Sequence, residues 1–233
     1  MKTSLSAVLL MLLALPTWAQ SWKQNRPIAG VTALKASAGV TVILKQGNTE
    51  SLTLDVKGFD EDEVVAVVRN GQLTLSHERR NLFGDLNFGI NKYIRAYVTV
   101  RQLTAIEASS GAEVKGHSPF EAADLTLHVS SGADVELSIN ARVLDAQISS
   151  GADVALSGSA GKLSAQVSGG ADLNAAQLTA DVCYVQASGG ADARVYGAKE
   201  LYLQASGGAD VTYRGPGRVV TKNESGGGDI NQN

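Results

Sequence analysis

From Leu125 onward, apolar and polar residues alternate with a period of two, and the alternation keeps its parity across a series of glycine-rich stretches. Leu125, Leu127, Val129, Ser131, Ala133, Val135, Leu137 and Ile139 share one side of the chain, and so do Leu144, Ala146, Ile148, Ser150, Ala152, Val154 and Leu156. Leu163, Ala165, Val167, Gly169, Ala171 and Leu173 continue the series. A period of two with a single apolar side is the mark of a β-strand. Within each glycine-rich stretch the inward positions shrink to Ser, Gly or Ala, which predicts that the chain comes closest to the axis of the fold there.

These stretches are copies of one motif, Ser-Ser/Gly-Gly-Ala/Gly-Asp/Glu, beginning at Ser109, Ser130, Ser149, Ser168, Ser188, Ser206 and Ser225. The spacings are 21, 19, 19, 20, 18 and 19 residues. A steady period near this length predicts units that bury their apolar side only by stacking on one another. The central glycines, Gly111, Gly132, Gly151, Gly170, Gly190, Gly208 and Gly227, permit a sharp bend or a positive φ, so each motif is read as a corner. A second corner is expected between motifs, at Gly158-Ser159-Ala160-Gly161, Tyr196-Gly197-Ala198 and Arg214-Gly215-Pro216-Gly217. The fold class that follows is all-β, a narrow single-stranded parallel β-solenoid with coils of about 19 residues and regular repeats over 102–230.

Stacking converts sequence columns into surface ladders, with equivalent residues of successive coils about 4.8 Å apart. One outward column is Glu107, His128, Gln147, Gln166, Gln186, Gln204 and Asn223, and its amides are expected to hydrogen-bond along the axis. The motif serines form a second column. The acids form a third: Glu113, Asp134, Asp153, Asp172, Asp192, Asp210 and Asp229. Neighbouring carboxylates repel by roughly 1 kcal/mol in water, and Asx-type bonds to turn backbone and serine hydroxyls are expected to offset this, with bound cations as the alternative. Calcium-binding β-rolls repeat Gly-Gly-x-Gly-x-Asp every nine residues or so, unlike this chain. One carboxylate per coil also falls short of the six or more oxygens that calcium takes. The acids are therefore assigned to the corners as structure, with no cofactor and calcium as the minor alternative.

Composition narrows the setting. Lys2, the apolar run Leu5 to Leu15, Pro16 and Thr17-Trp18-Ala19 predict a secretory signal peptide over 1–19, leaving one domain over 20–233. No second apolar run is long enough to span a membrane. Without residues 1–19 the chain keeps 19 basic and 23 acidic residues, and no basic face clusters as nucleic acid would require. Cys183 is the only cysteine, so no internal disulfide forms; its parity with Val185 and Ala187 predicts a buried thiol. The scattered histidines His77, His117 and His128 offer no metal cluster.

Together these residues carry a resemblance. The Ser-Gly-Ala-Asp corners, the opening Val31-Thr32-Ala33-Leu34-Lys35-Ala36-Ser37-Ala38-Gly39-Val40-Thr41-Val42-Ile43-Leu44-Lys45-Gln46-Gly47, and the later Asn70-Gly71-Gln72-Leu73-Thr74-Leu75 and Ala96-Tyr97-Val98-Thr99-Val100 resemble the head GIN domain family of auto-transporter adhesins. The resemblance covers nearly all of 20–233. It implies a right-handed parallel β-helix related in shape to pectin-lyase-type solenoids, a bacterial source, an adhesive role and no known catalytic set.

An enzyme is the rival class, because carboxylates on adjacent rungs would sit at about the separation of a retaining glycosidase pair. Almost every rung carries the same acid in the same place, however, and Arg142, Lys162, Arg194 and Arg214 form no column, so no catalytic residue is assigned. The segment Glu78 to Asn91 interrupts the strand pattern and places Leu82, Phe83, Leu86 and Phe88 in a loop, read either as a lid over one end or as a contact surface. At the C-terminal end Val220, Lys222 and Glu224 fall at inward parity, which predicts a polar cap. At the other end, the strands from Val31 to Val100 are expected to form wider rungs or a small covering sheet. The sequence thus predicts an exported, non-enzymatic binding solenoid, in the periplasm, on the outer surface or outside the cell. Its expected partner is a cell-surface glycan, a protein or a second copy. A pectin-lyase-shaped carbohydrate enzyme and a periplasmic structural protein are the alternatives.

Overall fold

The computed structural model describes residues 21–78 and 92–233. The signal sequence read over 1–19 and the loop residues Leu82, Phe83, Leu86 and Phe88 lie outside the described residues. Among the described residues the secondary structure is all strand: β1 (Ser21–Arg26), β2 (Ala33–Ala36), β3 (Thr41–Gln46), β4 (Ser51–Lys57), β5 (Val64–Arg69), β6 (Gln72–His77), β7 (Tyr93–Val100), β8 (Ala105–Ala108), β9 (Glu113–Gly116) and β10 (Phe120–Ser130). Then come β11 (Asp134–Ser149), β12 (Asp153–Ser168), β13 (Asp172–Ser188), β14 (Asp192–Ser206), β15 (Asp210–Arg214), β16 (Arg218–Ser225) and β17 (Asp229–Gln232). From β8 on, every pairing is parallel and joins one coil to the next: Asp134 faces Asp153, Leu144 faces Leu163 and Ser149 faces Ser168. The chain is a parallel β-solenoid with coils about 19 residues apart.

The alternation predicted from sequence is the alternation of burial. Val135, Leu137, Ile139, Leu144, Ala146 and Ile148 of β11 point inward and are buried, and their counterparts stack above them in β12 and β13. Among the described residues no polar or charged residue is buried as a whole, so the core that stacks along the axis is apolar and keeps its hydrophobic gain. Cys183 belongs to this interior: burial pushes its thiol up to about 12, and its Sγ lies 3.6 Å from the Tyr196 carbonyl.

Two details of the coil differ from the sequence reading. Ser131, Ser150 and Gly169 keep the inward parity but sit exposed on the outside of the corner, with φ of 57°, 56° and 64°. The following glycine is also positive, at 67° for Gly132, so two successive left-handed residues turn the chain at each corner. Small residues are thus selected at the motif by backbone conformation and not by space near the axis. The second corner is also gentler than predicted. β12 runs unbroken through 158–161 and β14 through 196–198, whereas 215–217 does separate β15 from β16. β11 and β12 pair through this bend without a register shift, and the extra residue of β13 is taken up by a shift between Ala155 and Ser157.

An eighth corner, missed in the repeat, lies at Ser37-Ala38-Gly39, with φ of 58° at Ala38 and 71° at Gly39. Its coil, β2 and β3, stacks directly on β8 and β9, so Lys35 and Glu107 face each other across 72 residues of chain. The intervening chain goes to the far side of that first coil, where β6 and β7 pair with β2 and β3. Beyond them β5 adds antiparallel to β6, β4 antiparallel to β7, and β1 antiparallel to β4. This is the covering sheet expected at the N-terminal end, and its antiparallel strands stop the parallel stack from continuing.

The other end is closed by charge. A register shift between Leu201 and Tyr202 puts Val219, not Val220, opposite Leu201, and Val220 is 40% exposed as the extra residue of the bulge. Lys222 and Glu224 then face Leu203 and Ala205, at inward positions with no coil beyond them. They pair at 3.0 Å, and Glu224 Oε1 accepts from the Ile230 N–H at 2.8 Å. The Lys222 ammonium, followed by that N–H, holds the Glu224 carboxyl below its ordinary value.

A carboxyl lowered in the folded chain stabilises it at higher pH and loses that contribution as pH falls through the carboxylate range. The hydrogen-exchange protection of the Ile230 amide is therefore expected to drop on acidification, and to be low at all pH values in Glu224→Ala. A Cβ at Gly158, where φ is 106°, would meet the Ile139 carbonyl oxygen at 2.3 Å. Gly158→Ala should cost about 2–4 kcal/mol, lowering Tm by roughly 5–10 °C in calorimetry. Gly132→Ala, which meets nothing within 4 Å, should cost about 1–2 kcal/mol from φ alone.

Candidate functional site

The solenoid presents two flat faces, joined at one edge by the Ser-Gly corners and at the other by the gentler bend. At the corner edge, each turn donates backbone N–H groups to the next: Gly111 to Ser131 O at 3.1 Å, Gly132 to Ser150 O at 3.2 Å, Gly151 to Gly169 O at 3.2 Å and Gly170 to Gly189 O at 3.1 Å. The acid that follows each corner donates its own N–H back to the alanine one coil earlier, as Asp153 does to Ala133 O at 3.0 Å. This fixes the acids in line. Glu113, Asp134, Asp153, Asp172, Asp192, Asp210 and Asp229 stand opposite one another rung by rung.

The column is longer than the acids alone. Toward the N-terminal end it continues through Thr41, Arg95, Asp55 and Lys23, so a mixed-charge stretch leads into a uniformly negative one. Glu113 stands at the junction: Lys115 Nζ lies 2.5 Å away and Thr41 Oγ1 donates to it at 3.2 Å, and the Lys115 contact chiefly lowers its carboxyl. The six aspartates beyond it face solvent with no side-chain hydrogen bond to turn backbone or to serine, contrary to the Asx-type bonding expected from sequence. A shallow groove of about 350 Å³ runs beside Glu113, Asp134, Asp153 and Asp172, over the small Ala155. Among the described residues no three His, Cys, Asp or Glu side chains are grouped so as to hold a metal ion.

The opposite face carries the amide column, with His128 opposite Gln147, Gln147 opposite Gln166, Gln166 opposite Gln186 and Gln186 opposite Gln204. Among the described residues no side-chain hydrogen bond links these amides; they are exposed, and water competes for them. The neighbouring column holds what the sequence reading passed over. Tyr184 and Tyr202 stack with ring centroids 4.5 Å apart and planes 11° apart, Lys162 Nζ sits 4.9 Å from the Tyr184 centroid, and Tyr202 donates its hydroxyl to Glu200 at 3.0 Å. The Glu200 bond is the main cause raising the Tyr202 hydroxyl. A spacing of 18 residues, Tyr184 to Tyr202, is the signal that could have found the pair.

Charge at the gentler edge is treated differently. Arg142 pairs with Asp124 at 2.6 Å, Lys199 with Asp181 at 3.0 Å and Arg218 with Glu200 at 3.4 Å, each across one coil step. Arg142, which formed no column in the sequence, is thus half of a rung-to-rung pair.

Since the six aspartates make no compensating bond, neutralising two neighbours should stabilise the stack. Asp153→Asn together with Asp172→Asn is expected to raise Tm by about 2–4 °C at low salt, with the gain shrinking in 1 M NaCl, as calorimetry would read. A lower Tm at both ionic strengths would mean that the carboxylates hold the corners.

Against known proteins, residues 31–217 match the family described as "Putative auto-transporter adhesin, head GIN domain". None of the curated proteins matches. Among solved structures, a putative adhesin from Bacteroides fragilis is similar with a TM-score of 0.80 and 16% identity, covering 92% of this chain and 97% of that one. A putative adhesin from Parabacteroides merdae gives 0.70 at 15% identity, covering 92% and 96%. A putative lipid binding protein from Parabacteroides distasonis gives 0.71 at 15% identity, covering 91% and 96%. At these identities the structures share the fold, and the match over 31–217, which takes in the corners from Ser37 to Gly208, places the chain in the head GIN domain family of auto-transporter adhesins.

Proposed function

We propose that the chain is exported after removal of 1–19 and that 20–233 acts without catalysis, as a rigid adhesion-type surface. The observation that carries this reading is uniformity. Seven acids occupy one column and each sits at the same place on its rung. Glycoside hydrolysis needs two carboxylates made unlike by their surroundings, one kept protonated and the other ionised. A repeated column suits repeated, shallow contact instead, in which many weak interactions add along the axis of a stiff rod. Membership of a family described in terms of adhesion supports the same reading.

The contact is assigned to the flat faces: Asp134, Asp153, Asp172, Asp192, Asp210 and Asp229 on one, Gln147, Gln166, Gln186 and Gln204 on the other. The apolar stretch with Leu82, Phe83, Leu86 and Phe88 is the second candidate contact. A cell-surface glycan is the partner class these polar faces fit, ahead of an apolar one.

The test is a glycan array probed with the purified chain, with and without millimolar calcium, alongside Asp153→Ala/Asp172→Ala and a reducing-end assay on acidic polysaccharides. Glycan capture weakened about tenfold or more in the double variant, with no new reducing ends, is the expected result. Polysaccharide cleavage would overturn the non-enzymatic assignment. Calcium-dependent capture would make the acid column a cation site.

A further inference from the structure

In the regular coils the gentler edge is closed by continuous strand, but in the first rungs the chain leaves the ladder there. Three connections meet: Gln46–Asn48 after β3, Arg101–Gln102 between β7 and β8, and Ser118–Pro119 between β9 and β10. With Glu121 they line an open cleft of about 700 Å³, twice the groove beside the acid column. The repeat has no equivalent of it.

Its walls are held by Gln46. Nε2 donates to the carbonyls of Arg101 at 2.9 Å and Glu121 at 3.0 Å, and Oε1 accepts the Glu121 N–H at 2.7 Å. Every hydrogen-bonding role of that amide except a lone pair is thereby used on backbone, so Gln46 is a positioning residue. Arg101 Nε donates to the Asn48 carbonyl at 3.0 Å, which anchors the guanidinium at one nitrogen. Its terminal nitrogens have no carboxylate partner among the described residues. Glu121, the one acid lining the cleft among the described residues, accepts instead from Asn140 Nδ2 at 2.8 Å. Ser118 Oγ makes no hydrogen bond among the described residues and is closed off from solvent, so a rotation of its side chain into the cleft would give it a partner on a ligand oxygen.

An unpaired guanidinium beside amides and an unsatisfied hydroxyl is a set of groups for an oxyanion that also carries hydroxyls. The planar fork of Arg101 matches a carboxylate. Asn48, Gln102 and Ser118 offer both donors and acceptors, as a polyol needs. Among the described residues no aromatic side chain lines the cleft, so a neutral sugar finds no ring there to stack on, and the anionic group carries the affinity. The volume is in the range that takes a mono- or disaccharide. We propose that this cleft binds a carboxylate-bearing sugar of the uronic acid class, with Arg101 holding the carboxylate and Asn48, Gln102 and Ser118 the hydroxyls. The cleft lies off both flat faces, so its failure would leave the adhesion reading intact.

The experiment is an amide NMR titration of the purified chain with D-galacturonate, its neutral methyl ester, D-galactose and acetate. Galacturonate should saturate shifts at Gly47, Asn48, Gln102 and Ser118 in the low millimolar range, with the ester, galactose and acetate each about tenfold weaker or worse. Arg101→Gln should weaken galacturonate about tenfold or more, and Asn48→Asp, which sets a like charge beside the ligand, by a similar factor. Both changes are on the surface, and an unchanged Tm keeps the comparison sound. No shift up to about 50 mM galacturonate, equal binding of acetate or galactose, or an unaltered response in Arg101→Gln would each overturn the proposal.

Discussion

The parallel stack is held by hydrogen bonds that every coil must make to its neighbours at a spacing of about 4.8 Å, and most of the molecule follows from keeping that spacing at the corners. A turn of two left-handed residues brings the chain round with its N–H groups along the axis, so Gly132 can reach Ser150 and Gly151 can reach Gly169. At the first of the two left-handed positions a Cβ would lie 3.3–3.4 Å from the backbone of the previous turn, as at Gly189 and Gly207, whereas at the second, as at Gly132 and Gly151, it would meet nothing and φ alone selects the residue. Serine or glycine is what remains. The same stacking makes each outward position a column, whether or not the residues in it gain from being neighbours.

The two edges resolve that last problem in opposite ways. At the gentler edge, oppositely charged residues meet across coil steps, as Arg142 meets Asp124 and Lys199 meets Asp181. These exposed pairs are worth little individually, on the order of 0–1 kcal/mol, but they carry no repulsion. Along the corner edge six aspartates repeat without a side-chain hydrogen bond or ion pair among the described residues, so any selective advantage they confer is paid against stability. Surface features that cost stability are where contact with something outside the chain is to be sought.

Ends impose the remaining constraints. A parallel stack with an open last rung invites further chains to add, and this one is stopped at one end by antiparallel β1, β4 and β5, and at the other by Lys222 and Glu224 standing where Leu203 and Ala205 stand one coil earlier. The N-terminal cap is built from chain inserted between two stacked coils, which leaves the connections around Gln46, Arg101 and Ser118 free of the regular ladder.

By itself the sequence determined the coil: the period near 19 residues, the strand alternation, the glycine corners, the columns of acids and amides, the buried thiol and the polar last rung were all legible, because each depends on local backbone conformation repeated in register. The tertiary structure alone decided which distant segments meet. The corner at Ser37 lay hidden because 72 residues separate Lys35 from Glu107, its partner in the stack. Val219 replaced Val220 because a bulge changed parity, and Ser131 faces outward because a positive φ breaks the count of alternate positions. The cleft between Asn48, Arg101 and Ser118, and the partnerless state of the aspartates, depend on where side chains end in space, and periodicity carries no record of that.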